Sequence, residues 1–273
     1  MSTEIIAEIG INHNGSIDIC KELIDIASIA GCNYVKIQKR MPDLCVPESQ
    51  KNKIRSTPWG DMTYLDYKKR LEFNEKQISF IKNYAVDKRI EFFASVWDIP
   101  SSKVMSRYSR VAKIPSALIT NLDLCRHARK NFSNLIISTG MSTEEEIEEC
   151  IKACDPDVIM HTNSTYPSPT EELNLNYIKW LKDKWPEKEI GYSGHEYGLV
   201  STFAAVAIGA EWVERHITLN HSMWGSDHLS SLEPAGLFKL VKGIRDVESS
   251  MRYVPSSRVL LDGEKSKRES LRK

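Results

Sequence analysis

Short runs of β-branched and other apolar residues alternate with amphipathic stretches along almost the whole chain. The runs have the length and composition of strands, and they lie at residues 5–11, 34–38, 90–96, 111–116, 135–140, 158–163, 189–194 and 212–218. Between most of them, apolar residues recur at helical spacing, as over residues 17–30, 75–86, 143–153, 199–208 and 234–249. This alternation predicts a parallel sheet whose strands are joined by crossover helices.

The number of these strand–helix units distinguishes two kinds of parallel sheet. Eight units over about 250 residues are typical of a closed (β/α)₈ TIM barrel. An open, doubly wound sheet is the rival fold, but its dinucleotide-binding fingerprint is not found in segment 10–15, which reads GINHNG. We therefore predict a TIM-barrel domain over residues 1–255 and a charged, mobile tail over residues 256–273.

Two local patterns refine this prediction. Thr143 and Glu146 have the spacing of a capping box, which marks the start of a helix. The polar, proline-containing segment 39–73 follows the second predicted strand and so lies at the C-terminal face of the barrel. A long loop at that face is typical of a lid or a substrate wall.

Composition and charge exclude several classes of partner. The 37 basic and 37 acidic residues cancel, so no long-range field attracts nucleic acid or an anionic membrane, and we expect neither partner. We find no secretory leader and no apolar run near the roughly 18 residues of a membrane span, and we expect a cytoplasmic protein. The six cysteines form no Cys-x-x-Cys pair. Cys150 and Cys154 share a helix face, and we interpret all six as buried thiols.

Polar residues stand at the C-terminal end of every predicted strand, where the side chains of a barrel converge. Lys36 and Lys113 lie within apolar strands. The serines near such ends are Ser116, Ser138, Ser164 and Ser193. Two amines beside several hydroxyls suit a ligand that carries both a phosphate and a carboxylate. The alternative interpretation is that each lysine extends to solvent or pairs with a nearby carboxylate.

Two histidines suggest a metal site at the same face. His195 and His216 end the seventh and eighth predicted strands, so their imidazoles could meet above the barrel. Such a pair can hold a divalent transition metal, with Glu214 or Asp227 orienting the ligands. Each histidine alone is more often a hydrogen-bonded core or surface residue.

Several motifs, taken together, resemble the sialic acid synthase (N-acetylneuraminate synthase) family. They are AEIGINHNG at 7–15, VKIQ at 35–38, ISTGM at 137–141, GYSGHE at 191–196, WVERH at 212–216, GSDH at 225–228 and SLEP at 231–234. Each motif is weak alone, but the set in this order is specific and covers residues 7–234.

The resemblance implies a TIM barrel that condenses phosphoenolpyruvate with an aldehyde sugar, commonly an N-acetylhexosamine, to give a 2-keto-3-deoxy sugar acid and phosphate. It implies substrate binding by Lys36, Lys113, Ser116, Ser138, Ser164, Tyr166 and Ser193. It implies catalytic roles for Glu8, Lys36, Gln38, Lys113 and Asp227, and metal binding by His195 and His216. Mn²⁺ is the expected metal, with Mg²⁺, Co²⁺ or Zn²⁺ as alternatives. The expected partners are phosphoenolpyruvate, an aldose and a second copy in a homodimer.

Two departures from the family pattern concern the sugar acceptor. The family commonly reads Gly-Ser-Gly-Glu after the fourth-strand lysine, whereas here Leu118 replaces the glutamate. The sequence also stops at Lys273, where the C-terminal antifreeze-like domain of familiar members would begin, so either that domain is missing or the sequence is part of a longer chain. Two other functions stay open: a metal-dependent barrel hydrolase and a non-catalytic barrel that binds sugar phosphates.

Overall fold

The computed structural model describes residues 2–252 and 258–272. Its strands are β1 (Glu4–Gly10), β2 (Tyr34–Lys39), β3 (Ile54–Thr57), β4 (Gly60–Thr63), β5 (Glu91–Val96), β6 (Val111–Ile114), β7 (Asn134–Ser138), β8 (Val158–Thr162), β9 (Glu189–Gly194) and β10 (Trp212–His216). Eight of them form a closed parallel barrel in the order β1-β10-β9-β8-β7-β6-β5-β2, whereas β3 and β4 form a separate antiparallel hairpin. The predicted (β/α)₈ TIM barrel is confirmed.

The helices surround the barrel, mostly between successive strands. They are α1 (Ile17–Ala30), α2 (Pro42–Cys45), α3 (Glu48–Lys51), α4 (Tyr64–Leu71), α5 (Glu75–Asp87), α6 (Ile99–Met105), α7 (Leu122–Asn131), α8 (Glu144–Cys154), α9 (Tyr177–Lys184), α10 (Val200–Ala207), α11 (Pro234–Met251) and α12 (Asp262–Leu271). Single 3₁₀ turns occur at Ser116–Leu118, Thr170–Glu172 and His228–Ser230. Within the described residues, no helix is both long and apolar enough to cross a membrane.

Each barrel strand alternates between two environments, as the two-residue period of a strand requires. Outward residues such as Ile5, Val35 and Ile137 are fully or almost fully buried under the helices. Inward residues at the N-terminal end of the barrel form a second apolar cluster, which consists of Ile6, Phe93, Ile136, Val158, Met160 and Trp212. Further along the same inward faces the residues become polar, so the barrel has an apolar floor and a polar mouth.

The register of the strands brings the polar inward residues to one level. Glu8 pairs with Lys36 on one side and with His216 on the other. Ser95 of β5 pairs with Lys113 of β6. Because paired residues in adjacent parallel strands point to the same face, these side chains converge inside the mouth.

The segment 40–73, which we call the strap, contains α2, α3, the β3–β4 hairpin and α4. The rings of Trp59 and Tyr67 pack edge-on against Trp224 in the loop after β10, with centroids 5.7 and 5.0 Å apart. The strap therefore covers that loop. The prediction of a substrate wall is not met, because none of its described residues lines the central cavity. Its role as a lid stays a prediction.

Part of the C-terminal tail is helical, and its mobility stays a prediction. The boundary at residue 255 lies outside the described residues, but residues 262–271 form helix α12. Acidic residues stand in its first turn and Arg268 in its last, which favours the helix dipole. An ion pair three residues apart, Lys265 with Asp262 at 2.6 Å, adds local support. A charged sequence with this order of signs can form a helix with few apolar residues.

The cysteine prediction is largely confirmed. All six cysteines are free thiols, five of them buried, and Cys45 is half-buried. Burial alone raises the pKa of Cys20 to about 12, so this thiol stays protonated and behaves as a small apolar side chain.

We predict that Thr143→Ala destabilises the protein by about 1 kcal/mol, because it removes half of a confirmed capping box. The amide of Glu146 donates to Thr143 Oγ1 at 3.3 Å, and the amide of Thr143 donates to Glu146 Oε2 at 2.8 Å. Urea unfolding measures the change. Thr143→Ser keeps the hydroxyl and is the matched control; an equal loss in both variants would contradict the capping role.

Candidate active site

The polar mouth of the barrel encloses a cavity of about 210 Å³. Its lining includes eleven of the twelve residues assigned to the site from the sequence: Glu8, Lys36, Gln38, Lys113, Ser116, Ser138, Ser164, Tyr166, Ser193, His195 and His216. Asp227 is the exception, because it does not line the cavity. Its Oδ2 atom lies 4.0 Å from the Nδ1 atom of His216. The strand-end residues therefore do converge on one site.

Two lysines and two glutamates form a buried ion network at the base of this cavity. The Nζ atom of Lys36 lies 2.8 Å from Glu8 Oε2 and 3.6 Å from Glu214 Oε1. The Nζ atom of Lys113 lies 2.7 Å from the same Glu214 oxygen. All four side chains are at most 4% exposed. Both amines thus point into the cavity, and both are ion-paired.

This pairing corrects one sequence interpretation. Glu214 is a candidate from sequence for orienting a histidine, but its Oε1 atom accepts hydrogen bonds from Lys113 and from Ser193 Oγ, at 2.7 and 3.2 Å. The alternative in which each lysine pairs with a carboxylate is the arrangement found. Neither carboxylate is near its lysine in sequence, so the pairs arise from the register of the barrel.

The network divides its charge unequally between the two amines. Burial disfavours the charge on Lys36, but Glu214 and Glu8 outweigh it and raise the pKa of Lys36. Burial lowers the pKa of Lys113, which shares Glu214 and is repelled by Lys36. Burial also opposes ionisation of Glu214, yet the two amines together lower its pKa to about 2. Lys113 is consequently the less fully compensated of the two amines.

Besides the ion network, the cavity contains serine hydroxyls that lie close to the backbone of Gly140. The amide of Gly140 donates to Ser116 Oγ at 3.1 Å. A β-carbon at position 140 would lie 2.2 Å from Ser164 Oγ and 2.9 Å from Ser116 Oγ, so only glycine allows both hydroxyls to approach. Ser138 Oγ is buried and has no hydrogen-bond partner in the described part of the chain. These donors form a concave surface suited to an anion.

The two histidines lie side by side across the mouth, with ring centroids 5.4 Å apart. Burial, reinforced by His216, lowers the pKa of His195 to about 3, so its imidazole is neutral. Nδ1 of His195 lies 2.8 Å from the carbonyl of Asn163, so it carries the proton and leaves Nε2 as an acceptor. Tyr166 stacks on His195 with centroids 4.0 Å apart.

The pair of imidazoles fits a metal ion. The Nδ1 atom of His216 is buried and has no hydrogen-bond partner among the described residues. A buried ring nitrogen without a partner, beside the Nε2 acceptor of His195, is a donor set that a divalent transition metal uses. The Asp227 carboxylate lies 4.0 Å from this same Nδ1 atom, so it faces the donor atom itself and does not orient the ring through the other nitrogen.

Some polar residues at or just after the strand ends brace the fold and do not enter the cavity. The side-chain amide of Asn12 donates to the carbonyl of Ile217 and to Ser231 Oγ, both at 2.8 Å. His161 bonds the carbonyl of Leu173 at 2.7 Å through Nε2. These residues hold β1 and β8 to the loops of the C-terminal face.

Strand-end position alone assigns no role to several cavity residues. Ser95 is one of the polar strand-end residues, and it accepts a 2.6 Å hydrogen bond from Lys36. Ala117 and Met141 also line the cavity. They come from loops, where no strand period indicates which side chain faces inward. Leu118 does not line the cavity and packs half-buried against the outer core.

Comparison with known proteins agrees with this geometry. The sequence model described as the NeuB family matches residues 23–254. The chain is 34% identical to N,N'-diacetyllegionaminic acid synthase of Campylobacter jejuni, covering 91% of this chain and 77% of that protein. It is 35% identical to N-acetylneuraminate-9-phosphate synthase of Drosophila melanogaster, covering 95% and 72%.

A solved structure extends the comparison to three dimensions. The N-acetylneuraminic acid synthetase of Leptospira borgpetersenii, determined in complex with citrate, superposes with a TM-score of 0.86 at 29% identity. The match covers 100% of this chain and 93% of that one. The relatives are named as synthases of sialic-acid-like sugars. By sequence and by fold, the chain belongs to the NeuB family.

Proposed function

We propose that this protein is a sugar-acid synthase that condenses phosphoenolpyruvate with an aldose, N-acetylhexosamine-like in kind, and releases phosphate. The observation that carries this proposal is the convergence of Lys36 and Lys113 in one cavity beside the hydroxyls of Ser116, Ser138, Ser164 and Ser193. Few ligands other than a small molecule with two anionic ends would use that set. The synthase names of the family members support the same reaction class.

The residues divide between the two ends of phosphoenolpyruvate. The serines around Gly140 and the amine of Lys113 suit the phosphate, because charge-assisted hydrogen bonds to an anion are stronger than neutral ones. Lys36 lies across the cavity with Ser95 and suits the carboxylate. This arrangement would hold C3 of phosphoenolpyruvate toward the histidines, where the aldehyde would enter.

The reaction balances without an outside oxidant or reductant. C3 forms a bond to the aldehyde carbon, water adds to C2, and the C2–O bond to phosphate breaks. The lysine and serine donors would stabilise the negative charge of the departing phosphate. Glu8, which reaches both Lys36 and the region of His216, is suited to hold or move a proton of the attacking water.

A divalent cation, Mn²⁺ by preference, would be held by His195 and His216 and would polarise the aldehyde oxygen. The charge balance of the cavity favours binding of this cation. The charges of the two lysines and two glutamates cancel, so the phosphate and carboxylate of phosphoenolpyruvate would bring an excess of negative charge that the cation offsets.

The acceptor side is the open part of this proposal. At the turn after β6 the cavity is lined by Pro115 and Ala117, and Leu118 takes the place of the family glutamate. An apolar wall makes fewer polar contacts with a sugar. We therefore expect an acceptor that differs from the usual N-acetylhexosamine near this turn.

A phosphate-release assay tests the function directly. Purified protein is incubated with phosphoenolpyruvate, Mn²⁺ and a panel of aldoses that includes N-acetylhexosamines, and the keto acid product is measured. Phosphate release that requires an aldose is expected. Release without an aldose would indicate a hydrolase, and no release with any aldose would favour a binding barrel.

We predict that Lys36→Ala lowers the rate of phosphate release by about 100-fold or more, because an amine that stabilises an anion is lost. Lys242→Ala, which removes a mostly exposed amine on α11, is the matched control. Thermal unfolding separates this effect from the instability that an unpaired Glu8 causes. If folded Lys36→Ala binds phosphoenolpyruvate as tightly as wild type, the donor site is assigned wrongly.

We predict that Gly140→Ala raises the KM for phosphoenolpyruvate about tenfold or more, because the added methyl displaces Ser116 and Ser164 from their shared site. The aldose KM should change much less. Gly236→Ala is the control, since a β-carbon there meets nothing closer than 3.6 Å. Equal behaviour of the two variants would contradict an anion site at Gly140.

We predict that removal of metal with a chelator abolishes activity and that Mn²⁺ restores it in wild type. His195→Ala/His216→Ala should retain no Mn²⁺ after desalting and show no restoration. His127→Ala, on the outer helix α7, is the control and should behave like wild type. The Mn²⁺ content of the protein is a readout independent of activity. Retention of equal Mn²⁺ by the double variant would overturn the assignment.

A further inference from the structure

Three cysteines come together between two outer helices, away from the cavity. Cys125 lies on α7, and Cys150 and Cys154 lie one turn apart on α8. Their sulfurs are 3.7 Å apart for Cys125 and Cys150 and 3.9 Å for Cys150 and Cys154, and all three lie within 4.8 Å of one another. We call these residues the three-thiol cluster. Each is at most 1% exposed.

The sulfur spacing matches that of a metal site. A metal ion about 2.3 Å from each sulfur sets the sulfurs about 3.8 Å apart in tetrahedral geometry and about 4.0 Å apart in trigonal geometry. Two of the three spacings already have these values. A disulfide fits less well, because its sulfurs must approach to about 2.05 Å, and Cys150 and Cys154 are held one helical turn apart.

The donor set selects the kind of ion. Three thiolates favour soft cations such as Zn²⁺ or Cu⁺ over Mn²⁺ or Mg²⁺. Within the described residues, no histidine or carboxylate joins the cluster as a ligand.

We propose that the three-thiol cluster is a structural binding site for one thiophilic d¹⁰ cation, Zn²⁺ or Cu⁺, which ties helix α7 to helix α8. The thiol protons pass to solvent as the ion binds, and no oxidation takes place. Cys125 Sγ also lies 3.6–3.7 Å from the carbonyls of Leu118 and Ile119. Both contacts use the thiol proton of Cys125, so they are lost when that proton leaves and the ion binds.

The test uses the full chain in a His195→Ala/His216→Ala background, so that the barrel mouth cannot contribute ligands. The reduced, chelator-treated protein is refolded anaerobically with Zn²⁺ or with Cu⁺, desalted, and its metal content and Tm are measured. One retained ion per chain is expected, with a Tm that rises until one equivalent is bound. The two metals are separate arms, and the tighter one is identified by competition with chelators of known affinity.

Matched variants locate the ion. Cys150→Ser should lose it, whereas Cys20→Ser, which alters another fully buried thiol, should retain it. If Cys150→Ser does not fold, thiol alkylation of the unchanged cysteines answers the question: the ion should slow labelling of Cys125, Cys150 and Cys154 alone, as mapped on peptides. The proposal is overturned if neither metal is retained, if Cys150→Ser retains it equally, or if the cluster instead oxidises with loss of two hydrogens.

Discussion

The buried ion network of the barrel mouth constrains the rest of the site. Glu8, Lys36, Glu214 and Lys113 are almost fully removed from water, and their formal charges cancel. Removing one partner from such a group leaves an uncompensated charge and typically costs about 3–5 kcal/mol. The four residues must therefore be treated as one unit. An anionic ligand cannot simply add to free amines, because the amines already have partners.

This constraint suggests how an anion can still bind. Lys113 is the less compensated amine, since it shares one carboxylate with Lys36 and its pKa is lowered, whereas that of Lys36 is raised. It therefore gains more from a new anionic partner. The imidazoles of His195 and His216 lie side by side across the same mouth and can accept an added cation. Anion and cation together would leave the buried charge close to balance.

Much of this architecture could be predicted from the sequence because side chains alternate between the two faces of a strand, with a period of two residues. Within each strand the inward residues pass from apolar to polar, as from Phe93 to Ser95 or from Trp212 to Glu214. Once eight strands are recognised, the closed barrel places every such end at one face. Strand-end position therefore located the lysines, the histidines and the serines near them, and the family resemblance added Tyr166.

The rest depends on contacts between residues far apart in the chain, or on loops. Glu214 meets Lys113 across 101 positions, and the pair arises from barrel closure, which no local pattern encodes. Cys125 meets Cys150 because two neighbouring helices pack, so the spacing of the cysteines in sequence gave no indication of it. The helix of the tail depends on the order of charges, which overall composition does not describe.

The same division separates the two halves of the proposed reaction. The donor half of the cavity is built mainly from strand ends. The pairing register of the closed barrel fixes the positions of these residues. The acceptor half includes Ala117, Met141 and Tyr166, which lie in loops and can change without disturbing strand pairing. A change such as glutamate to Leu118 leaves the ion network intact, because that side chain packs into the outer core. The barrel can thus retain one donor chemistry while the loops vary the acceptor.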